Sequence, residues 1–98
     1  MRVTILDAAE RDLEEGYRFY ERQSLGLGSY FLDSLYSDID SLSYFAGIHP
    51  TFFGYHRLLS KRFPFAVYYK IVEDKVLVLA VLDCRQTPSW IREKLIKL

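Results

Sequence analysis

The side chains with the clearest chemical potential are cations and a histidine in the second half of the chain. They are His56, Arg57, Lys61, Arg62, Lys70 and Arg85. Guanidinium and ammonium groups bind phosphates and stabilise negative charge that develops during phosphoryl transfer. A histidine titrates near neutral pH and can act as a general base. The group therefore indicates a polyanion site, although the solvated ends of a half-buried sheet would show the same residue types.

Other kinds of catalytic or metal site find little support in the sequence. His49 and His56 fall on different predicted elements, and Cys84 is distant from both. We expect neither a metal site nor a Cys84–His56 nucleophile pair, because no orienting third group or oxyanion hole is apparent. There is no glycine-rich phosphate loop and no GxSxG, HExxH or CxxC motif. We therefore expect no cofactor.

Length and composition limit the class of protein. The chain has 98 residues, of which 50% are apolar and 16% aromatic, and this predicts a single domain over residues 1–98. Its longest purely apolar run, Val76 to Leu82, is far shorter than the roughly 20 residues of a membrane helix. One cysteine and no visible signal peptide favour a cytoplasmic protein without a membrane partner.

The charges are balanced overall but unevenly distributed. Thirteen basic and thirteen acidic residues give zero net charge. Residues 1–50 hold four Arg against nine Asp or Glu, a balance of −5, and residues 51–98 hold nine Lys or Arg against four acids, a balance of +5. If the two halves form different faces, one face is acidic and the other basic.

The first predicted elements are a strand over Arg2 to Leu6 and a helix over residues 8–23. Alternation of apolar and polar residues predicts the strand. Asp7 is expected to be the helix N-cap, with Glu10 reaching back to complete a capping box. The apolar positions of this helix recur at helical spacing and are Ala9, Leu13, Tyr17 (or Gly16) and Tyr20.

A second helix is predicted over residues 29–46. Gly47 is expected to end it, with Pro50 just beyond. A connection of five residues with two glycines, Ser24 to Gly28, predicts that the two helices pack antiparallel as a hairpin. The apolar stripe of the second helix contains Phe31, Leu35, Leu42 and Phe45, widened by Leu32, Ile39 and Ala46.

After Phe52 the apolar period becomes that of strands. The predicted strands are Tyr55–Ser60, Phe65–Val72 and Lys75–Leu82, and the last two are joined by a tight link at Glu73-Asp74. Thr87-Pro88 predicts a short terminal helix, docked through Trp90, Ile91, Leu95 and Leu98. The predicted fold class is α+β: an N-terminal strand, a helical hairpin, a three-stranded antiparallel meander and a short C-terminal helix.

The predicted elements place the candidate residues at different positions on the sheet. His56 and Arg57 are consecutive on one strand and should point to opposite faces, because side chains alternate along a strand. Arg85 follows the end of the last strand, where loops often carry functional groups.

The order of residues carries information beyond composition in several runs along the chain. These runs are Asp7–Leu13, Phe19–Gln23, Gly26-Leu27-Gly28 with Phe31, Tyr55–Leu59, Phe63–Tyr69, and Val78–Arg85 with Pro88. The segment around Phe63-Pro64-Phe65 and the last strand are specific when taken together. Over nearly its whole length the chain resembles the toxins of the RelE/ParE superfamily from bacterial type II toxin–antitoxin modules.

The resemblance implies a fold and two alternative activities. The fold is a helical hairpin on a small, mostly antiparallel sheet, in agreement with the element order above. RelE-like members are ribosome-dependent ribonucleases that cut mRNA with Lys, Arg and His on strands and a terminal Tyr. ParE-like members instead block DNA gyrase. In both cases the toxin is neutralised by a cognate antitoxin.

The residues of this chain match the nuclease pattern only in part. Arg85 matches the basic residue at the end of the last strand. Ala66 stands where the nucleases tend to carry an arginine, and Gln86 where many relatives have a second one. Trp90 and Ile91 occupy the region where many carry the terminal Tyr. These departures, and the neutral net charge, favour the ParE-like branch.

Three functions stay open. The favoured one is a toxin that arrests growth by inhibiting DNA gyrase. The alternatives are a metal-independent mRNA endoribonuclease acting at the ribosome, with His56, Arg57 and Arg85 around the phosphate, and a non-toxic relative that binds an antitoxin. All three share the cognate antitoxin as a partner. We expect it to contact the helical hairpin and the basic strands, where an acidic segment would offset the positive half.

Overall fold

Five strands form one sheet, with a helical hairpin on one face and a short helix on the other. The computed structural model describes residues 1–98. The sheet has the order β1-β5-β4-β3-β2. The strands are β1 (Arg2–Ile5), β2 (Thr51–Phe52), β3 (Tyr55–Leu59), β4 (Phe65–Val72) and β5 (Lys75–Asp83), and the helices are α1 (Asp7–Gln23), α2 (Leu27–Asp40), α3 (Leu42–Phe45) and α4 (Pro88–Ile96).

The sheet is mixed, and its central part is the predicted meander. Strands β3, β4 and β5 pair antiparallel in chain order, which confirms the α+β class. Strand β1 instead pairs parallel with β5, from Arg2↔Lys75 to Ile5↔Val78. Because β1 ends there, the Leu79–Asp83 segment of β5 has no strand neighbour on that side.

The hairpin of α1 and α2 covers one face of the sheet and forms the main core. Leu13 of α1 and Phe31 and Leu35 of α2 are almost fully buried and pack with Val67 and Tyr69 of the sheet. Burial of a side chain of this size contributes about 1.5–3 kcal/mol. The apolar spacing that predicted the two helices therefore also identified the surface on which they pack.

The connection between α1 and α2 is fixed by a carboxylate and by glycine. Glu21 accepts hydrogen bonds from the backbone N–H groups of Gly26 (3.0 Å) and Gly28 (2.9 Å), so an acidic group lies at the amino end of α2, where it is favourable. Gly26 has a φ of +88°. A Cβ on Gly28 would lie 2.6 Å from the backbone oxygen of Tyr17, and this close approach requires glycine.

Helix α4 covers part of the opposite sheet face with a second, smaller core. Leu95 is buried against Ala66, Ala80 and neighbouring side chains. Thr87 caps the helix, since its Oγ1 accepts a hydrogen bond from the Trp90 N–H at 3.2 Å. Pro88 occupies the first turn, as predicted. Trp90 and Ile91 are half-buried against this core, whereas Leu98, which was expected to dock with them, is exposed.

Because of a β-bulge, β5 contributes side chains to both cores. Tyr68 pairs with Ala80 and Tyr69 with Val78, so Leu79 is an extra residue on β5. Val78 and Val81, three positions apart, consequently both belong to the hairpin core, while Ala80 belongs to the α4 core.

The predicted helix boundaries need two corrections. Leu6, not Asp7, is the N-cap of α1, and no side chain caps this end, so the predicted capping box with Glu10 is absent. Asp7 lies in the first turn, where its charge still complements the helix dipole. The predicted helix over 29–46 is divided at Ser41 into α2 and α3. The Ser41 hydroxyl donates to the Asp38 carbonyl (2.6 Å), a local bond that competes with regular helix.

Two further details escaped the prediction. Phe45, expected in the apolar stripe, is 55% exposed, because it lies beyond the break at Ser41, whereas Leu42 stays buried. The two-residue strand β2 pairs with β3 across a turn in which Phe53 and Gly54 both have positive φ. Gly47 has a φ of +96° just after α3, consistent with its predicted role at the helix end.

Candidate functional site

Arg57 lies on the same sheet face as α4, beside Tyr68. The two residues are paired across β3 and β4. The Arg57 guanidinium stacks over the Phe52 ring at 3.8 Å from its centroid, a cation–π geometry. Its Nε is buried without a hydrogen-bond partner. Arg57 is thus held by an aromatic ring, with no carboxylate to compensate its charge.

Cys84 and Tyr68 are the titratable neighbours of Arg57. Burial raises the pKa of the Cys84 thiol, and the Arg57 charge only partly opposes this effect. Burial likewise raises the pKa of Tyr68. The thiol therefore stays protonated and is a poor nucleophile near neutral pH.

His56 lies on the opposite sheet face, toward the hairpin. Its ring stacks on Tyr69, with centroids 5.0 Å apart and planes at 20°, and its Nδ1 bonds to the His49 carbonyl at 2.8 Å. The Tyr69 hydroxyl accepts from the Gly47 N–H at 3.0 Å and bonds to His49 Nδ1. Burial, followed by the proximity of His56, lowers the pKa of His49. Both histidines therefore anchor the loop after α3 to the sheet.

Arg85 follows β5 and forms a forked ion pair with Asp83. Its Nε and Nη2 donate to the two Asp83 oxygens at 3.0 and 2.8 Å, and its backbone N–H also donates to Asp83 at 2.8 Å. The hydrogen bond from Arg85 holds the pKa of Asp83 below its usual range. The pair is partly solvated, and the Arg85 charge already has a partner within the chain.

The structure separates the three candidate catalytic residues. His56 and Arg57 occupy opposite faces, as predicted from strand alternation. Arg85 is engaged by Asp83 beyond the end of β5. Of the remaining cations, Lys61, Arg62 and Lys70 are exposed. His56 and Arg57 therefore cannot act together on one phosphate without a rearrangement of β3.

Asp12 is a site residue that the sequence analysis missed. Its Oδ2 accepts a hydrogen bond from the Val81 N–H at 2.9 Å, on the side of β5 that lacks a neighbouring strand. Burial raises the pKa of Asp12 to about 6, and the bond from Val81 opposes this only in part. No local pattern could reveal this contact, because its partner lies 69 residues away.

A groove runs between α1 and α4 over this edge of β5. Its volume is about 240 Å³. Its walls come from Asp12, Glu15 and Phe19 of α1 and from Trp90 and Lys94 of α4, and Val81 contributes to its floor. Asp83 also lines the groove. The lining combines aromatic surface with three carboxylates and one ammonium group.

Two further features concern the molecule as a whole. No group of three or more His, Cys, Asp and Glu side chains is arranged to hold a metal ion. No helix combines the length and the apolar character that crossing a bilayer requires.

Comparison with known proteins identifies the fold. No protein-family model matches this sequence, and no curated protein sequence gives a match. A solved structure described as the chromosomal ParDE TA system from P. aeruginosa is similar, with a TM-score of 0.73 and 18% identity, over 83% of this chain and 92% of that chain. The chain therefore has the fold of a ParE-like toxin.

Proposed function

We propose that this protein is the toxin of a type II toxin–antitoxin system, acting in the cytoplasm and neutralised by a cognate antitoxin. The observation that carries the proposal is the structural match to the ParDE system over most of both chains. The residue runs that resemble the RelE/ParE superfamily support it independently, because they extend over nearly the whole sequence.

We further propose that it arrests growth by contact with DNA gyrase. Metal-free cleavage of RNA needs a general base, a general acid and charge stabilisation around one phosphate. His56 is stacked on Tyr69 and bonded to the His49 carbonyl, on the face opposite Arg57. Arg85 is compensated by Asp83. This arrangement favours inhibition by binding over the alternative of mRNA cleavage.

The antitoxin contact that we propose combines the hairpin with the basic strands. Phe19, Leu25 and Tyr30 leave apolar surface exposed on and between α1 and α2, and an amphipathic segment could cover it. Lys61 and Arg62 are exposed in the turn between β3 and β4, and Arg62 lies 6.0 Å from the Tyr30 ring. An acidic, apolar segment of the antitoxin complements both features.

Tightly inducible expression in a bacterial host tests the activity. We would compare the wild type with Arg85→Ala, Arg57→Ala and His56→Ala, using Arg18→Ala as the exposed control. Growth, transcript ends and the DNA damage response would be recorded together, with supercoiling by purified gyrase in vitro. We expect growth arrest with a damage response, intact transcripts and inhibited supercoiling. Cut transcripts that any of the three site substitutions abolishes would establish the nuclease instead.

Co-purification tests the partner. The protein product of the adjacent gene would be co-expressed, and complex formation would be measured by affinity capture and light scattering. We expect a stable complex, weakened by a double charge reversal at Lys61 and Arg62. A monodisperse chain with no affinity for the adjacent gene product would contradict the proposed antitoxin contact.

A further inference from the structure

The Leu79–Asp83 segment of β5 is an open strand edge. Strand β1 pairs with β5 only as far as Ile5↔Val78, and the Leu6 N–H donates to the Val78 carbonyl at 3.0 Å. Beyond that point the five residues from Leu79 to Asp83 have a neighbour, β4, on one side only. Open edges expose backbone groups that can pair with another chain.

Asp12 occupies this edge in place of a strand. Its carboxylate accepts from the Val81 N–H, which is the hydrogen bond that a backbone carbonyl of a neighbouring strand would make. Neither α1 nor α4 closes the edge, since the groove between them lies directly over it. A single carboxylate therefore satisfies a backbone donor at an edge that no strand covers.

We propose that this groove binds an extended segment of a partner protein, which adds to β5 beside β1 and carries both an apolar side chain and an arginine or lysine. The apolar side chain would pack against Phe19 and Trp90, which line the two walls. The cation would pair with Asp12 and Glu15. The incoming backbone carbonyl would replace Asp12 as the acceptor for Val81.

The partner segment needs a cation because its binding would remove the hydrogen bond that Asp12 accepts from Val81. Once Val81 bonds to the new strand, the half-buried carboxylate loses its backbone donor, and a buried acceptor without a partner is costly. The charged side chains that act on Asp12 are Glu15, Arg11 and Lys94. Burial raises its pKa despite the two cations, so a further positive charge would stabilise the ionised form.

This edge adjoins the hairpin and basic-strand surface proposed for the antitoxin and shares Phe19 with it, but the two surfaces differ in charge. Its carboxylates favour a basic segment, whereas that surface favours an acidic one. Binding at the groove does not require that the protein arrest growth. The two proposals can therefore fail separately.

Peptide binding to the full chain in vitro tests the proposal. The probe is a capped octapeptide that alternates valine with arginine and threonine, and the matched peptides carry glutamate in place of arginine or N-methyl groups on the central amides. Affinity is measured by calorimetry, and amide shifts and hydrogen exchange by NMR. The protein variants are Asp12→Asn, which retains an acceptor for Val81, and Asp33→Asn on the exposed face of α2 as the control.

We expect the arginine peptide to shift the Val81 amide and to slow exchange across Leu79–Asp83. Replacing arginine by glutamate should weaken binding by about tenfold or more, because a charge-assisted contact is lost. N-methylation should abolish binding. Asp12→Asn should reduce the preference for arginine over glutamate by severalfold, and Asp33→Asn should leave it unchanged.

Three results would overturn the proposal. The first is equal binding of the arginine and glutamate peptides. The second is peptide binding with no change in the amides of Leu79–Asp83. The third is a concentration-dependent dimer of the chain alone that protects those same amides, because a second copy would then be the occupant of the edge.

Discussion

At the scale of single residues, the Tyr69 hydroxyl connects the sheet to the loop after α3. It accepts from the Gly47 N–H at 3.0 Å and bonds to His49 Nδ1. The hydroxyl proton is not needed for the Gly47 bond, and the Tyr69 hydroxyl can donate to or accept from His49 Nδ1 according to the histidine tautomer. One buried oxygen thus fixes both the backbone and a histidine of this loop.

Tyr69→Phe should lower the free energy of unfolding by about 1–2 kcal/mol, because it removes both bonds while keeping the ring. The pKa of His49 is lowered from 6.5, so its contribution to stability is present above that value and is lost as the pH falls. Because burial and His56, and not Tyr69, lower this pKa, wild type and Tyr69→Phe should lose stability in parallel on acidification. Urea unfolding across this pH range measures it. Tyr44→Phe, at a side chain 87% exposed, is the control and should change nothing.

Asp12 should give the molecule a second, opposite pH dependence. Its pKa rises from 3.8 to about 6 on folding, so the folded state retains a proton that the unfolded state has released between these values. The resulting stability is present below the unfolded pKa and is lost as the pH rises through about 6.

Asp12→Asn removes this titration and keeps an oxygen for the Val81 N–H. We expect the substitution to raise the free energy of unfolding by about 1–2 kcal/mol near pH 7.5, with allowance for solvent screening, and to have little effect near pH 4. Urea unfolding of both proteins as a function of pH is the measurement. Parallel stability curves for wild type and variant would contradict the assignment, and Asp33→Asn serves as the matched control.

At the scale of elements, the helical hairpin depends on the close approach of its two helices at Gly28. A Cβ there would meet the Tyr17 carbonyl oxygen at 2.6 Å and the Glu21 Cβ at 2.9 Å. Backbone cannot move aside as a flexible side chain can, so the helices themselves would have to separate. The two bonds from Glu21 to the start of α2 would be strained as well.

Gly28→Ala should therefore destabilise the fold by about 2–3 kcal/mol, as overpacking does. Gly26→Asn is the matched control, because Gly26 has a positive φ and nothing within 4 Å of its missing Cβ. Asparagine tolerates this conformation, and the cost should stay below about 1 kcal/mol. Thermal and urea unfolding compare the variants. A larger loss for Gly26→Asn than for Gly28→Ala would refute the close-approach argument.

The spacing of apolar residues predicted most of the helices and strands, but it did not predict the contacts at the candidate site. The spacing of Leu13, Phe31 and Leu35 predicts helices with one buried face, and burial on the sheet confirms it. The break at Ser41 depends on a side-chain bond to Asp38, which periodicity does not record. The contact of Asp12 with Val81 arises where α1 packs along β5, which brings together residues 69 positions apart in the chain. The family resemblance and the alternation of side chains along the strand identified Arg57 and Arg85 as candidates, but neither predicted the residues that contact them.

At the scale of the whole molecule, the uneven charge distribution becomes a difference between layers. The hairpin layer, residues 7–46, holds nine acids and three arginines, a balance of −6. On the other face of the sheet, Lys70 and Lys75 lie on one side of β4 and β5, because Lys75 pairs with Val72 and residues two apart share a face. A neutral protein thus presents surfaces of opposite sign.

We expect the protein to bind both a sulfonate and a quaternary ammonium resin at low salt, despite its zero net charge. Combined Lys70→Glu and Lys75→Glu should abolish retention on the sulfonate resin. Combined Arg18→Glu and Arg22→Glu, an equal change of charge on the hairpin, should leave that retention largely intact. Salt-gradient elution measures both. Equal losses for the two double variants would show that net charge alone controls binding.

The parallel pairing of β1 with β5 also has a consequence for synthesis. Arg2 can pair with β5 only after Lys75 has been synthesised, and Asp12 can form its hydrogen bond only after Val81 has been synthesised. Folding that depends on such distant pairs is slow and cannot begin productively on a partial chain. A nascent polypeptide of this protein, or one ended early by a nonsense codon, would therefore lack the finished surface. The folded surface therefore exists only after β5 has been synthesised.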